Sequence, residues 1–184
     1  MKRVFRVCVH EPSRYNLGFV VQRVLAEAHG WLASKAVGFQ YVSDPEDADI
    51  LVRLMSNKRM RAKFVEVHQR PDLDHMSVTE VAWDGRPSKV FFNLERWVGG
   101  PDKGVVVRGP RGDKAGSAKR ALFEYHTYVV NHEIGHAMGL GHAKPNKAKV
   151  CSVMTQQTKN TLGAQFNPIP LPTDLQRLVK TLVL

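Results

Sequence analysis

The sequence predicts an α+β fold in one domain, with a mixed sheet, a helix that covers it, and two later helices. Three observations carry this. Short apolar stretches that read as strands fall in the first hundred residues, one helical repeat interrupts them, and a longer helical repeat follows from about residue 118. The opening order of strand, helix, strand, strand suits a mixed sheet with a covering helix. At 184 residues the chain is long enough for one domain with its own core. Its 43% apolar and 24% charged residues are ordinary for a globular protein.

Taken in order, "RVFRVCVH" (Arg3–His10) alternates apolar and polar residues and reads as a strand. After the turn-like "EPSRYN", Leu17, Val20, Val21, Val24, Leu25 and Ala28 repeat at helical spacing until Gly30 stops the pattern. "VGFQYV" (Val37–Val42) and "ADILVRLM" (Ala48–Met55) are the second and third strands, the third the more buried. "FVEVH" (Phe64–His68) is expected as a further short strand. "SVTEVAW" (Ser77–Trp83) and "KVFFNLERW" (Lys89–Trp97) flank Asp84-Gly85 and predict a hairpin. Gly99 to Ser117 is rich in glycine, proline and charge and is expected as a long surface loop. From Ala118 to about Met138 the pattern is helical, with Leu122, Tyr125, Val129, His132 and His136 along one face. The chain is then irregular as far as Pro172, and "TDLQRLVKTLVL" predicts a last helix with Thr173 as its N-cap.

Composition narrows the function classes. No run approaches the roughly 18 apolar residues of a membrane span. Arg6, His10 and Glu11 interrupt the apolar core that a signal peptide needs, so an intracellular location is expected. Cys8 and Cys151 are too few for a disulfide scaffold and suit a reducing compartment, with Cys8 expected as a buried thiol. The net charge of +10 is concentrated in Asn57–Lys63, Arg108–Arg120 and Lys144–Lys149. These clusters are expected as solvated basic loops, with weak nucleic-acid or anionic-surface binding as their alternative use. No aromatic interleaving or recognition helix accompanies them, so sequence-specific readout is not supported. The Arg111–Asp113 match to an adhesion tripeptide lies inside a Gly- and Lys-rich loop and carries little weight.

The chemistry concentrates in "HEIGHAMGLGH", which holds three of the eight histidines. On a helix, His132 and His136 lie one turn apart on the same face and can meet one Zn2+ ion. Glu133, one position along, is angled away from ligation but can reach a water on the metal, which suits a metal-activated hydrolase. A helix continued past Gly139 would carry His142 away. A glycine there can take the left-handed conformation that ends a helix, and His142 can then swing back as a third nitrogen ligand.

With those offsets, the stretch resembles HExxHxxGxxH, the signature of the metzincin zinc peptidases. "CSVMTQQT" supplies Met154, twelve positions after His142, as the family's methionine turn. "FNLERWVGG", "YHTYVVNHEIGHAMGLGH", "VMTQQT" and "NPIPLP" are similar to an uncharacterised metzincin-like family of bacterial secreted or membrane-anchored proteins. The resemblance implies a metzincin or zincin-like fold over residues 1–184. Its upper subdomain, about 1–138, would hold a twisted sheet with an antiparallel edge strand, a backing helix and the active-site helix. The lower one, about 139–184, would hold the third histidine, the methionine turn and the C-terminal helix.

It further implies His132, His136 and His142 as ligands to one Zn2+, Glu133 as general base, Gly139 as the turn and Met154 as the floor under the imidazoles. Ala143 stands where many members carry a characteristic residue. Gln156 stands where some carry a tyrosine, which leaves Gln156 and Gln157 as oxyanion or substrate contacts. The cysteine pair of secreted relatives is not matched by Cys151 alone. The activity implied is that of a monomeric zinc-dependent endopeptidase acting on peptides or proteins, with substrate added along the edge strand of the hairpin. Lys144, Lys147 and Lys149 would favour acidic side chains, and a strand starting near Met1 leaves no room for an inhibitory pro-segment. The alternatives are a zinc hydrolase with a non-peptide substrate, a polyanion-binding protein on the same scaffold, or a structural zinc module with Cys151 or His126 as fourth ligand.

Overall fold

A computed structural model of the chain describes residues 2–67, 69–70, 76–82, 84–100, 118–144, 150–157 and 167–183. The loop expected over Gly99–Ser117, with its Arg-Gly-Asp triplet, falls outside the described residues except for its first two positions. Lys147 and Lys149 fall outside them too.

Among the described residues five strands form one mixed sheet: β1 (Arg3–Val9), β2 (Val37–Tyr41), β3 (Ile50–Met55), β4 (Val78–Glu80) and β5 (Ser88–Asn93), in the order β2-β1-β3-β5-β4. The first four in that order run parallel, and β4 is an antiparallel edge, with Thr79 opposite Val90. Alternation sets what each face buries. Phe5 and Val7, Ile50 and Val52, and Val90 and Phe92 point into the main core, where Leu17, Val21 and Val24 of α1 (Leu17–Leu25) meet them. Their neighbours Cys8, Leu51 and Phe91 face the other way into two smaller clusters. Cys8 is buried with a free thiol, as its place in an apolar strand predicts.

The covering helix is shorter than its repeat suggests. It ends at Leu25, and a 3-10 turn at Trp31–Ser34 follows, so Ala28 lies beyond it. Trp31 is nonetheless fully buried, and its indole N–H donates to the carbonyl of Asn131, tying this turn to α4 (Ala118–Ala137).

Three expectations are corrected. The stretch expected as strand "FVEVH" is helical over its described part, Phe64–Val67: α2 (Asn57–Met60) runs into a π-helical turn over Arg61–Val67. Met60 and Phe64, four apart, both pack on Phe91, and that is helical spacing rather than alternation. The second hairpin strand stops at Asn93, whose side chain accepts from the Arg96 N–H and caps α3 (Leu94–Gly99). The last helix, α5 (Pro172–Val183), starts at Pro172, so Thr173 lies inside its first turn. Asp174 performs the capping instead, accepting the Leu171 N–H at 3.0 Å.

Candidate metal centre

The helix α4 brings the first pair of imidazoles together. His132 and His136 sit one turn apart, with ring centroids 4.7 Å and Nε2 atoms 3.2 Å apart. Nδ1 of His132 lies 2.8 Å from the Val153 carbonyl, and Nδ1 of His136 lies 2.7 Å from the Leu140 carbonyl. A carbonyl can only accept, so both rings carry their proton on Nδ1 and turn an Nε2 lone pair toward each other. Two facing lone pairs have no proton to share. The arrangement presents acceptors to a cation, and backbone bonds at the far nitrogen orient each ring as in known metal sites. Burial, with the neighbouring imidazoles, lowers the pKa of His132 to about 3. Burial first, then His142, lowers that of His136 to about 4. Both rings are therefore neutral near pH 7, the form that ligates.

The third ring arrives by a helix stop. Gly139 has φ +96°, its N–H donates to the His136 carbonyl, and the Leu140 N–H donates to the Gly135 carbonyl. This pair of bonds is the Schellman arrangement, which a glycine at the left-handed position permits. The chain turns back, and the His142 ring sits 5.3 Å from His132 and 4.6 Å from His136. One ligating atom from each of the three rings lies within 4.8 Å of the others, so the cluster could hold a metal ion. Among the described residues no other such group occurs. His126 stacks on Trp97 with centroids 4.0 Å apart and meets its carbonyl, and the buried Cys151 is likewise outside the cluster.

Met154 is fully buried below α4. Gly135, between the two helical histidines, makes room for it, because a Cβ there would collide with the Met154 thioether and the Trp31 ring. The first glycine of the stretch thus has a packing reason.

Glu133 is 4% exposed, and its Oε2 accepts from the Thr79 hydroxyl at 2.6 Å. Burial raises its pKa to about 7, a rise that the Thr79 hydrogen bond opposes. With the three histidines it lines a cleft bordered by Val78 and Thr79 of the edge strand, by Ser77 just before it, and by Tyr128 and Gln156.

The two glutamines part company. Gln156 lines the cleft, whereas Gln157 is buried, donates to the carbonyls of Ser152 and Asn167, and accepts the Asn167 N–H. The Gln157 amide braces the loop and is not among the residues lining the cleft.

Several supporting residues carry no motif. The Tyr128 hydroxyl donates to the Thr155 carbonyl and accepts the Gln157 N–H. Asp174, 1% exposed, accepts from the Ser152 hydroxyl and the Val153 N–H. Arg177, one turn on, donates to the Gly141 carbonyl at 2.8 Å, next to His142. The Ala143 N–H donates to the Met154 carbonyl, joining the loop of the third histidine to that of the methionine. An acid in the first turn of an amphipathic helix is the one signal of this in the sequence, and it names no partner.

Among the described residues, no helix is long and apolar enough to cross a membrane. No curated protein matches the chain. Among solved structures, a chain of the GM1-bound form of the ECX AB5 holotoxin is 14% identical. That match covers 97% of this chain and 79% of the other, with a TM-score of 0.52, and is a likeness of fold. Archaemetzincin from Methanopyrus kandleri is 13% identical over all of this chain and 97% of its own, with a TM-score of 0.47, too low to carry an argument. The model of the family described as "Protein of unknown function (DUF3152)" matches residues 14–172, and the chain belongs to that family.

Proposed function

We propose that the chain is a metzincin-like zinc metallopeptidase, with His132, His136 and His142 holding one zinc ion and Glu133 acting as general base. One observation carries the reading: three imidazoles, two with Nε2 lone pairs directed inward, converge beside a buried carboxylate in a cleft bordered by a sheet edge. Three neutral nitrogen ligands suit a catalytic zinc, whose tetrahedral site keeps a fourth position open. Bound there, zinc would polarise a carbonyl and acidify water.

The protein's own groups supply the rest. Thr79 engages Oε2 of Glu133, so Oε1 is the oxygen assigned to take a proton from attacking water and return it to the departing amine. Its pKa of about 7 before metal binding suits a group that must do both near neutrality. Among the described residues the β4 edge pairs with β5 alone, so an extended peptide could add along its other side through backbone hydrogen bonds. Gln156 lines the same cleft and could donate to a substrate carbonyl. Gly139 sets the turn and Met154 the packing under the rings.

The test is cleavage profiling of a proteome-derived peptide library by zinc-loaded protein beside Glu133→Ala. The expected outcome is cleavage by the wild type that falls roughly a hundredfold or more in the variant, with zinc content unchanged. Equal cleavage by both would remove Glu133 from the mechanism. No cleavage by the wild type, with zinc bound, would point to a non-peptide substrate.

A further inference from the structure

Glu133 is held by a residue 54 positions away that belongs to no motif. The Thr79 hydroxyl lies 2.6 Å from Oε2 of Glu133 and 3.0 Å from the same residue's backbone carbonyl. It is the hydrogen-bond partner of that carboxylate among the described residues. We propose that Thr79 is the positioning residue for Glu133, fixing its carboxylate to the edge strand along which a peptide would lie; this rests on the peptidase reading above.

The strand is built for that task. Thr79 pairs with Val90 in the ladder, so its backbone is set by the sheet. Its neighbours are anchored on the opposite face. Val78 packs against the Met60, Phe64 and Phe91 cluster, and Glu80 meets the Lys63 ammonium at 2.9 Å. Alternation then leaves the Thr79 side chain toward α4. Threonine is branched at Cβ and stiff at χ1, so a fixed strand fixes its hydroxyl. A serine there would keep the donor with more freedom, and a valine would keep the shape and the strand preference without the donor. Loss of the hydroxyl leaves a buried carboxylate oxygen without its partner, and such an oxygen leaves its position to find water. A displacement of about 1 Å in a proton-transferring group can cost roughly a hundredfold in rate.

The experiment compares wild type, Thr79→Val and Thr79→Ser, all zinc-loaded. Activity is read on the best-cleaved peptide of a proteome-derived library, with zinc content, melting midpoint and a crystal structure of each variant. The expected result for Thr79→Val is a kcat lower by roughly tenfold to a hundredfold, with KM within about twofold of wild type. Zinc content stays unchanged, and Thr79→Ser recovers most of the rate. A wild-type kcat in Thr79→Val would overturn the proposal. If the wild type cleaves nothing, the peptidase reading fails and the crystal structures decide the positioning claim separately. A Glu133 carboxylate displaced with valine and retained with serine supports it, and an unmoved carboxylate with valine overturns it.

Discussion

The helix α4 and the segment from Gly139 to Gln157 bring residues to the same centre by different physical means. In α4, the 3.6-residue period places His132 and His136 one turn apart on one face, and the carbonyls of Val153 and Leu140, beyond the helix, only orient the rings. The irregular segment has no such period. The loops of His142, Val153 and Met154 are held by side chains from elsewhere: the buried Tyr128 from α4, Asn167 from the approach to α5 and Asp174 from α5, with the half-exposed Arg177 of α5 beside them. The helical half is cheap to specify and tolerant. The other half depends on each of a few polar bonds made in a dry interior, where an orphaned partner is costly.

That contrast can be broken in order of effect. Asp174→Ala removes the acceptor for the Ser152 hydroxyl and for the Val153 and Leu171 N–H groups together. It should cost roughly 3 kcal/mol, read as a lower urea midpoint at unchanged m-value, and weaken zinc binding with it. Gly135→Ala strikes the helical half where it touches Met154 and Trp31. Overpacking should cost about 2 kcal/mol by the same measurement, although alanine is the better helix former. A stabilised variant would show that the methionine yields easily. Tyr128→Phe keeps the ring and removes the hydroxyl between Thr155 and Gln157. A loss of about 1 kcal/mol is expected, with helicity by circular dichroism unchanged.

A pH dependence in the metal-free protein tests both halves together. His132 and His136 titrate below their ordinary value in the folded state, so their stabilisation is complete above pH 6.5 and is lost as pH falls toward 4 and 3. Glu133 is raised from 4.5 to about 7, so its contribution is complete below pH 4.5 and is lost as pH rises through 7. Two groups oppose one, and stability of the chelated protein should fall on acidification below pH 6.5. In Glu133→Gln the opposing group is gone and the fall should be steeper. A urea midpoint indifferent to pH between 4.5 and 6.5 in both proteins would contradict these assignments.

The same division separates what the sequence makes legible from what it hides. The strands β1, β2 and β3 and the helix α4 agree with their predicted spans to within two residues, because each has one clear period. Phe64–His68 misleads because its β-branched residues suggest a strand, while Met60 and Phe64 determine a helical face. Thr173 misleads because Pro172 can itself open a helix. In the site, His132, His136, Gly139 and His142 are legible because helix geometry and one left-handed turn bring them together. Gln157 is not, because the sequence cannot tell an amide turned to the cleft from one spent on Ser152 and Asn167. Thr79, Tyr128, Asp174 and Arg177 escape for a related reason: their partners are set by tertiary packing, 22 to 54 residues away for most of them.

The most direct test of the account is zinc titration of chelator-treated protein, with stoichiometry by elemental analysis, on wild type and His142→Ala. Convergence of the two halves on one ion predicts one zinc per chain in the wild type. Affinity should fall at least a hundredfold in His142→Ala, a ligand loss exceeding the usual cost of losing an outer partner. Equal zinc binding by both proteins, or none by the wild type, would contradict it.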